Sequence, residues 1–363
     1  MNTQSLQLSI VIPTFNEVAN VQEVVRRVEA AMGATAWEII FVDDDSPDGT
    51  ANQVRELACR DPRVRCLQRV GRRGLSTACI EGMMAASGPI LAVMDADLQH
   101  DESILPDMLD KLRHGCDVVI GTRYAQGGGT GDWDEKRKQM SLLATRVSHL
   151  VLKQPVSDPM SGFFMLDRRV LDECVRGLSG MGFKILLDLL ATSQRKLRIG
   201  EVPYQFRTRI HGESKLDHMV MWEYGMLLAD KLIGRWIPVR FLAFSIIGGV
   251  GVFVHMLILT LALKAMGMDF SHAQTGATVI TMVFNFALNN SVTYRDQRLK
   301  GGAWFRGLLS FMLACSIGAI ANIGIATYLF EHRTAWLPAA LAGILVGAVW
   351  NYAITKIYTW GKK

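Results

Sequence analysis

Four long apolar stretches near the C-terminus constrain the fold of this 363-residue chain more than any other feature. None contains Asp, Glu, Lys or Arg, and each can cross a bilayer core of about 30 Å as a helix of about 20 residues. Buried helices of a large soluble domain are the alternative, but four such stretches in succession argue against it. We therefore predict an all-α domain of four transmembrane helices, at residues 241–263, 273–292, 307–330 and 336–354.

Basic residues between these stretches predict the orientation of the chain. Arg235 and Arg240 precede the first stretch, and four basic residues lie between the second and third, whereas the other two connections carry only Lys264 and Arg333. Because excess Lys and Arg mark the cytoplasmic side, we expect both termini and the N-terminal part to be cytoplasmic. The four basic residues are Arg295, Arg298, Lys300 and Arg306, and Lys362 and Lys363 close the chain on the same side.

The two halves of this membrane part share short sequences. "FNFAL" at 284 and "WNYAI" at 350 match as aromatic, Asn, aromatic, Ala, aliphatic, and "IGGVG" at 247 is similar to "IGAIA" at 317. This spacing predicts two copies of a two-helix unit, with coincidence in apolar sequence as the alternative. Asn285, Asn289 and Asn351 would then hydrogen-bond between helices or line a substrate path.

Up to about residue 236 the sequence has the pattern of a soluble α/β domain. Short β-branched runs at 8–12, 38–42, 64–67, 90–94 and 118–120 alternate with segments that can form helices, such as 18–32 and 50–59. This alternation predicts a mostly parallel, doubly wound sheet. The net charge of +5 and the absence of interleaved basic and aromatic residues give no indication of nucleic-acid binding.

Polar residues follow four of the five predicted strands. They form "PTFNE" at 13, "DDDSPDGT" at 43, "DADLQH" at 95 and "GTRY" at 121. Each could be a turn or a helix cap, as "SPDG" and Asp48 illustrate. Because ligands bind beyond the carboxyl ends of parallel strands, we expect these residues to form one site.

Asp95 and Asp97, followed by Gln99, are a candidate metal site. Carboxylate and amide oxygens suit Mg²⁺ or Mn²⁺, which proteins often hold through one or two carboxylates and the phosphates of a substrate. The metal would neutralise a leaving diphosphate. A P-loop enzyme could end a strand in the same way, but the sequence has no GxxxxGK[ST] motif.

Six motifs together resemble the inverting family 2 glycosyltransferases of GT-A fold, specifically the polyprenol-phosphate (dolichol-phosphate) mannose synthases. They are "SIVIPTFNE", "FVDDDSPDGT", "MDADLQH", "GTRY", "SGFFML" and "GESK", between about residues 8 and 215. The C-terminal part resembles the GtrA-like membrane domain that some of these synthases carry. The resemblance implies a cytoplasmic GT-A domain at 1–215, an interfacial helix and linker at 216–239, and a four-helix membrane domain at 240–363.

The resemblance also implies roles for individual residues. The nucleotide sugar would be held by Pro13, Phe15, Glu17, Val42, Asp44, Asp95, Ala96 and Asp97, and the metal by Asp95, Asp97 and Gln99. The acceptor phosphate would contact Arg123, Arg137 and Ser141, and the residues that act in transfer would be Asp97, Arg123, Arg209 and Lys215. The chain departs from the family where a Lys and a Gly-Leu-Gly are usual, because it has Arg72, Arg73, Gly74, Leu75 and Ser76 there.

The sequence does not identify a general base. His100 is a candidate, but a structural role in a loop would explain this residue equally well. A phosphate acceptor needs no base, because it is already ionised at pH 7 and can attack the sugar C1 directly. The enzyme would then orient two anions and stabilise the departing diphosphate, for which the arginines and Lys215 are suited. The expected substrates are GDP-mannose and a polyprenyl phosphate, and the expected product is β-linked.

Two further segments point to the membrane. Helical spacing in 141–153 places Leu143, Val147, Leu150 and Val151 on one side and basic residues on another, which is typical of a helix at a membrane surface. A helix packed on the sheet is the alternative. The segment 216–236 is apolar around most of its circumference and is expected to be buried between the catalytic domain and the membrane.

Other functions remain open at this point. UDP-glucose or another nucleotide sugar could replace GDP-mannose, and a processive polysaccharide synthase is disfavoured because "GRW" at 234 lacks the Gln of a QxxRW motif. The membrane part could be a lipid flippase or an anchor. The sequence leaves the oligomeric state open, a homo-oligomer included.

Overall fold

The computed structural model describes residues 5–131, 135–208, 218–234, 236–332 and 336–361. The chain divides into two compact units, Met1–Leu232 and Ile233–Lys363. Each unit has its own hydrophobic core.

The first unit is built on a seven-stranded sheet in the order β3-β2-β1-β4-β6-β5-β7. All neighbouring strands are parallel except that β6 runs antiparallel to both β4 and β5. The predicted α/β class with a mostly parallel sheet is therefore confirmed. The strands are β1 (Leu8–Thr14), β2 (Trp37–Asp43), β3 (Val64–Gln68), β4 (Ile90–Val93), β5 (Val118–Thr122), β6 (Phe164–Asp167) and β7 (Ile199–Pro203).

Helices cover both faces of this sheet. In β1, Ile10 and Ile12 belong to one buried cluster and Val11 to the other, so the strand is buried on both faces, as an unbroken apolar run predicts. The helices of this unit are α1 (Val21–Met32), α2 (Thr50–Ala58), α3 (Leu75–Ala85), α4 (Leu105–Arg113), α5 (Glu135–Ser148), α6 (Arg168–Cys174), α7 (Ile185–Thr192) and α8 (His218–Ile233).

The predicted single apolar side of segment 141–153 is wrong. Helix α5 ends at Ser148, so the residues beyond it do not continue its face. Val147 and Val151 pack against a cluster that contains Tyr224 of α8, whereas Leu143 and Leu150 are 60% and 71% exposed. The segment therefore has both a packed side and an exposed apolar side.

Helix α8 is partly buried within the first unit, and its expected burial against a membrane stays a prediction. Tyr224 and Leu227 lie against the α5 region, and the Tyr224 hydroxyl donates a hydrogen bond to the Ala144 carbonyl (2.6 Å). Met221 and Leu232, on the same helix, are exposed.

The described residues of the second unit form four long helices, which correspond to the four apolar stretches. Among the described residues, Val239–Lys264 and Gly302–Asn322 are long and apolar enough to cross a membrane. That all four helices cross it remains a prediction. The helices are α9 (Val239–Lys264), α10 (Phe270–Leu288), α11 (Gly302–Glu331) and α12 (Trp336–Ile354).

The duplicated sequences occupy equivalent places in the two helix pairs. The Asn285 amide of α10 lies against Gly251 of α9, and the Asn351 amide of α12 lies against Gly318 of α11. This pairing equates Gly251 with Gly318, one helical turn away from the match of "IGGVG" with "IGAIA". A π-helical turn follows each Asn-containing helix, at Asn289–Thr293 and at Thr355–Thr359.

Candidate active site

The sheet changes direction between β1 and β4. From β1 the chain moves outward to β2 and β3, and β4 then returns to the other side of β1. Such a switch leaves a crevice beyond the carboxyl ends of the two strands, where ligands of doubly wound sheets bind. The segments after β1, β2 and β4 meet at this edge.

Hydrogen bonds join the loops that follow β1 and β2. The Glu17 backbone N–H donates to the Thr50 hydroxyl (3.0 Å) and the Val18 N–H donates to the Asp48 carboxylate (3.1 Å). Asp48 also accepts from the Thr50 N–H at the start of α2 (3.0 Å). Gly49 is the N-cap of α2, while the Asp48 carboxylate accepts from the first N–H of the helix and holds the two loops together.

The residues predicted to bind the nucleoside lie on these two strand ends. Pro13 and Val42 are direct neighbours in the β1–β2 register, and Phe15 and Asp44 follow on the two loops. The Glu17 carboxylate accepts a hydrogen bond from the Asn20 amide (2.7 Å). The structure therefore brings the five residues to one edge of the sheet, while their roles stay predictions.

Asp44 is held by the segment that departs from the family pattern. Its carboxylate accepts from the Gly74 N–H (2.7 Å) and lies 3.0 Å from the guanidinium of Arg69, which is 3% exposed. Burial raises the pKa of Asp44, because the Gly74 hydrogen bond and the Arg69 charge offset the lost hydration only in part. The Arg73 guanidinium lies 4.1 Å from the centre of the Phe15 ring, a cation–π distance.

The Asp95–Gln99 segment forms a tight turn after β4. The Gln99 backbone N–H donates to the Asp97 carboxylate (3.2 Å), and the Gln99 side-chain amide donates to the Arg207 carbonyl (3.1 Å). The second bond defines which end of the amide is the oxygen. Ala96 is buried in the sheet core, so it can contribute to a ligand site only through its backbone.

His100 supports this turn. It is buried and stacks on the Phe163 ring at 5.1 Å, and its Nδ1 accepts a hydrogen bond from the Asp95 backbone N–H (3.2 Å). Burial lowers its pKa to about 4, so the imidazole is neutral at pH 7. This geometry makes His100 a support for Asp95 rather than a base that reaches a substrate.

The metal prediction can be tested against the donor atoms. Among the described residues, no group of three or more His, Cys, Asp or Glu could hold a metal ion. Two carboxylates and one amide oxygen nevertheless fit Mg²⁺ or Mn²⁺, because these ions take the rest of their ligands from water and substrate phosphates. The donor set therefore fits a metal that binds together with its substrate.

Arg123, after β5, is paired with a buried carboxylate. Its Nε and Nη2 donate to the two oxygens of Asp158 at 2.7 and 2.8 Å. Burial opposes the charge, but the Asp158 hydrogen bonds and charge outweigh it and raise the pKa of Arg123 above its usual range. Next to it, the Tyr124 hydroxyl donates to the Ser141 hydroxyl (2.7 Å), so two of the predicted acceptor residues lie near each other.

Three other predicted residues cannot be placed. Arg209 and Lys215 lie outside the described residues, as does the side chain of Arg137, whose backbone is part of α5.

Two family models match the chain in the order of its two units. "Glycosyl transferase family 2" matches residues 9–175, and "GtrA/DPMS, transmembrane domain" matches residues 243–360. A dolichol-phosphate mannosyltransferase from Pyrococcus furiosus is 34% identical over 98% of this chain and 99% of its own length. The chain belongs to the dolichol-phosphate mannosyltransferase family. The resemblance read from the sequence motifs is thereby confirmed.

Another relative matches a shorter part of this chain. The Saccharomyces cerevisiae dolichol-phosphate mannosyltransferase is 39% identical over 64% of this chain and 89% of its own length. Among solved structures, a glucosyl-3-phosphoglycerate synthase from Mycobacterium tuberculosis, in complex with Mn²⁺, UDP-glucose and phosphoglyceric acid, is 20% identical. It covers 64% of this chain and 80% of that chain, with a TM-score of 0.48. This last similarity does not bear on the substrates of the present chain.

Three residues that support this candidate site were not predicted from the sequence. Arg69, Asp158 and Arg207 each support a predicted residue, namely Asp44, Arg123 and Gln99. A lone Arg or Asp in a loop carries no signal that identifies its partner, since Arg123 and Asp158 are 35 positions apart.

Proposed function

We propose that this chain transfers mannose from GDP-mannose to a polyprenyl (dolichyl-type) phosphate. The observation that carries the proposal is the match, over nearly the whole chain, with a protein named dolichol-phosphate mannosyltransferase. The geometry agrees, because a carboxylate pair suited to a nucleotide-bound metal and the Arg123 fork follow strands of the same sheet.

The donor would lie in the crevice between β1 and β4. Pro13, Phe15, Glu17, Val42 and Asp44 would hold the nucleoside, and Asp95, Ala96 and Asp97 would face the diphosphate and the sugar. The Arg69 and Gly74 contacts to Asp44 support this assignment, because they fix the carboxylate before any ligand binds.

Asp95, Asp97 and Gln99 would hold Mg²⁺ or Mn²⁺. The bound ion would supply positive charge against the diphosphate that leaves. The chain itself fixes the ligand oxygens: the Gln99 N–H holds Asp97, the buried His100 holds the Asp95 backbone, and Arg207 accepts from the Gln99 amide.

The acceptor phosphate would attack the sugar C1 without a general base. One of its oxygens forms the new bond to C1 while the bond from C1 to the β-phosphate oxygen breaks, and GDP leaves with the electron pair. An in-line displacement of this kind inverts C1, which gives a β-linked product from an α-linked donor. Arg123, Arg137 and Ser141 would orient the acceptor phosphate, and Arg209 and Lys215 would offset the repulsion between the two anions.

We infer that the reaction takes place at the cytoplasmic membrane face. Leu143 on α5, Leu150 just after it and Met221 on α8 are exposed apolar side chains suited to a lipid surface. Residues 1–215 would form the catalytic domain, 216–239 an interfacial helix and linker, and 240–363 a membrane domain of four transmembrane helices, with both termini cytoplasmic.

A donor comparison tests this function. Membranes that contain the full-length protein are incubated with a polyprenyl phosphate, Mg²⁺ or Mn²⁺, and labelled GDP-mannose or UDP-glucose, and label is followed into the lipid phase. We expect transfer from GDP-mannose that Asp97→Ala lowers by about 100-fold or more, since metal stabilisation is worth several kcal/mol.

Asp107→Ala, which removes an exposed carboxylate on α4, is the matched control and should act as the wild type does. Transfer from UDP-glucose and none from GDP-mannose would reject mannose and keep the reaction class. Product chains longer than one sugar would instead indicate a polysaccharide synthase.

A further inference from the structure

The Arg123–Asp158 pair is held from several sides. Besides the two side-chain hydrogen bonds, the Arg123 backbone N–H donates to the same carboxylate (3.3 Å). Asp158 is fully buried, and its backbone carbonyl accepts from the Ser161 N–H (3.2 Å), which closes a turn before β6. The carboxylate therefore fixes the main chain and the side chain of Arg123 together.

Aromatic rings restrict the guanidinium further. The Arg123 Cζ lies 5.6 Å from the centre of the Tyr124 ring and 5.6 Å from that of Phe206. A pair through Nε and Nη2 also fixes the plane of the guanidinium, because two parallel N–H···O bonds permit one orientation. The Arg123 guanidinium therefore has one orientation, and its Nη1 group takes no part in the hydrogen bonds to Asp158.

An arginine with this restraint suits an acceptor site. A guanidinium that must turn before it meets a phosphate loses part of its effect to reorganisation, whereas one that is already oriented does not. The restraint has a cost, because the Asp158 charge reduces the net positive charge near the incoming anion. A buried carboxylate at this point is therefore poorly suited to simple attraction and well suited to orientation.

We propose that Asp158 is a positioning residue for the acceptor phosphate. It touches no substrate, and it acts by holding the Arg123 guanidinium in the orientation in which Arg123 binds the phosphate. This inference rests on the proposed function, in which Arg123 binds the acceptor. It adds a residue to which neither the sequence motifs nor the family resemblance assigned a role.

A second buried ion pair provides a control that distinguishes an effect on acceptor positioning from an effect on protein stability. Asp188 on α7 is also fully buried, and its carboxylate lies 2.5 Å from the Lys231 ammonium. This pair links α7 to α8 and involves no residue of the proposed site. Loss of either pair removes a buried charge partner, but only loss of Asp158 releases Arg123.

The test compares Asp158→Asn and Asp188→Asn in the full-length protein in membranes. We expect Asp158→Asn to lower kcat/KM for the polyprenyl phosphate by about 30- to 100-fold, the order expected when a binding group is misplaced by about 1 Å. The affinity for GDP, measured by equilibrium binding, should not change. Asp188→Asn should keep both values and lose only thermal stability.

A double-mutant cycle with Arg123→Gln provides the decisive readout. If Asp158 acts through Arg123, then Asp158→Asn has no further effect on kcat/KM for the acceptor once Arg123 is Gln. The double variant replaces the ion pair by two amides, so it leaves no uncompensated charge in the protein. An equal further loss in that background would mean an independent structural role and would overturn the proposal.

If Asp158→Asn does not fold, Asp158→Glu keeps the charge and moves the carboxylate by one methylene group; it should still weaken acceptor turnover, and wild-type turnover would overturn the proposal. If the wild type transfers no mannose, the proposed function fails on its own. Equilibrium binding of the polyprenyl phosphate to the wild type and to Asp158→Asn then decides, because equal affinity rejects the positioning role.

Discussion

Backbone strain at the level of single residues shapes this site. Asn16, Asp45 and Leu98 have φ values of 60°, 57° and 61°, and each lies just beyond the carboxyl end of a strand. Asn and Asp tolerate this region, but for a leucine it costs on the order of 1–2 kcal/mol. Leu98 is buried in the same cluster as Ala96 and Ile104, so packing holds the turn that places Asp97 and Gln99.

Gly162 allows the Asp95 carboxylate to occupy its place. A Cβ at this position would lie 2.9 Å from Asp95 Oδ2, closer than side-chain carbons approach oxygen. We expect Gly162→Ala to displace that carboxylate and to weaken metal-dependent transfer by about 10- to 100-fold, as loss of a supporting contact at a metal ligand does. The measurement is transfer rate against Mn²⁺ concentration.

Gly225→Ala on α8 is the control for this change, since a Cβ there has no neighbour within 4 Å. Its Mn²⁺ dependence should match that of the wild type. A Gly162→Ala protein with the wild-type Mn²⁺ dependence would show that Asp95 does not hold the metal.

At the scale of elements, patterns within the sequence predicted five of the seven strands. β1 to β5 are short runs rich in β-branched residues, and their observed bounds differ from the predicted ones by at most two residues. β6 has four residues and pairs antiparallel with β4 and β5, and β7 is largely half-exposed. Both depend on partner strands distant in sequence, so a local pattern cannot predict them.

The same limit applies to the site. Residues that directly follow strands could be predicted, because the sheet places them by topology. Their supports could not: Asp158 and Arg207 meet Arg123 and Gln99 only through tertiary packing.

One carboxylate, that of Asp117, joins the starts of β5 and β7, and its charge depends on pH. Asp117 accepts from the Arg198 N–H (2.8 Å) and lies 3.1 Å from both the Arg198 and Arg195 guanidinium groups. Burial opposes its ionisation, but the hydrogen bonds from Arg198 and Arg195 outweigh that effect and hold its pKa well below the usual range. The folded state therefore favours the charged form of Asp117.

This pKa predicts how stability depends on pH. A carboxyl whose pKa is lower in the folded than in the unfolded state, where it is about 3.9, stabilises the fold above that value and loses the effect as pH falls. Asp117→Asn should lower Tm at pH 7, and the difference from the wild type should shrink below about pH 4. Thermal unfolding in detergent measures it, with Asp107→Asn as the exposed control. A difference that stays constant with pH would contradict the charge-based account.

In the second unit two glycines, Gly251 and Gly318, lie against asparagine amides of the neighbouring helix. A Cβ on Gly251 would overlap the Asn285 amide, whereas one on Gly249, two residues earlier in α9, would meet nothing within 4 Å. Gly251→Ala should destabilise the unit by about 1–3 kcal/mol through overpacking. Gly249→Ala should leave stability equal or higher, since Ala favours helix over Gly.

Thermal unfolding of both variants in the same detergent provides the comparison. Equal Tm values would mean that the Asn285–Gly251 contact does not hold α9 and α10 together. Gly318→Ala should act as Gly251→Ala does, because its Cβ would overlap Asn351.

At the scale of the whole molecule, a soluble-type α/β unit and a helical unit are joined in one chain. The first has apolar clusters on both faces of its sheet, whereas the second has an aromatic cluster around Phe286 and large apolar side chains on its surface, such as Phe253 and Leu257. An apolar outer surface of this kind is expected of helices in contact with lipid. The orientation of the helical unit in the membrane depends instead on the charge of the loops between its helices.

Labelling of single cysteines tests that orientation. Met266, in the connection between α9 and α10, is exposed and should lie outside the cell, whereas exposed Lys300, between α10 and α11, should lie inside. In a Cys59→Ser background, which removes the exposed native thiol, a membrane-impermeant maleimide should label Met266→Cys in intact cells. Lys300→Cys should react only after permeabilisation. Labelling of Lys300→Cys in intact cells would place the catalytic unit outside and separate it from any cytoplasmic nucleotide sugar, so the proposed reaction depends on this result.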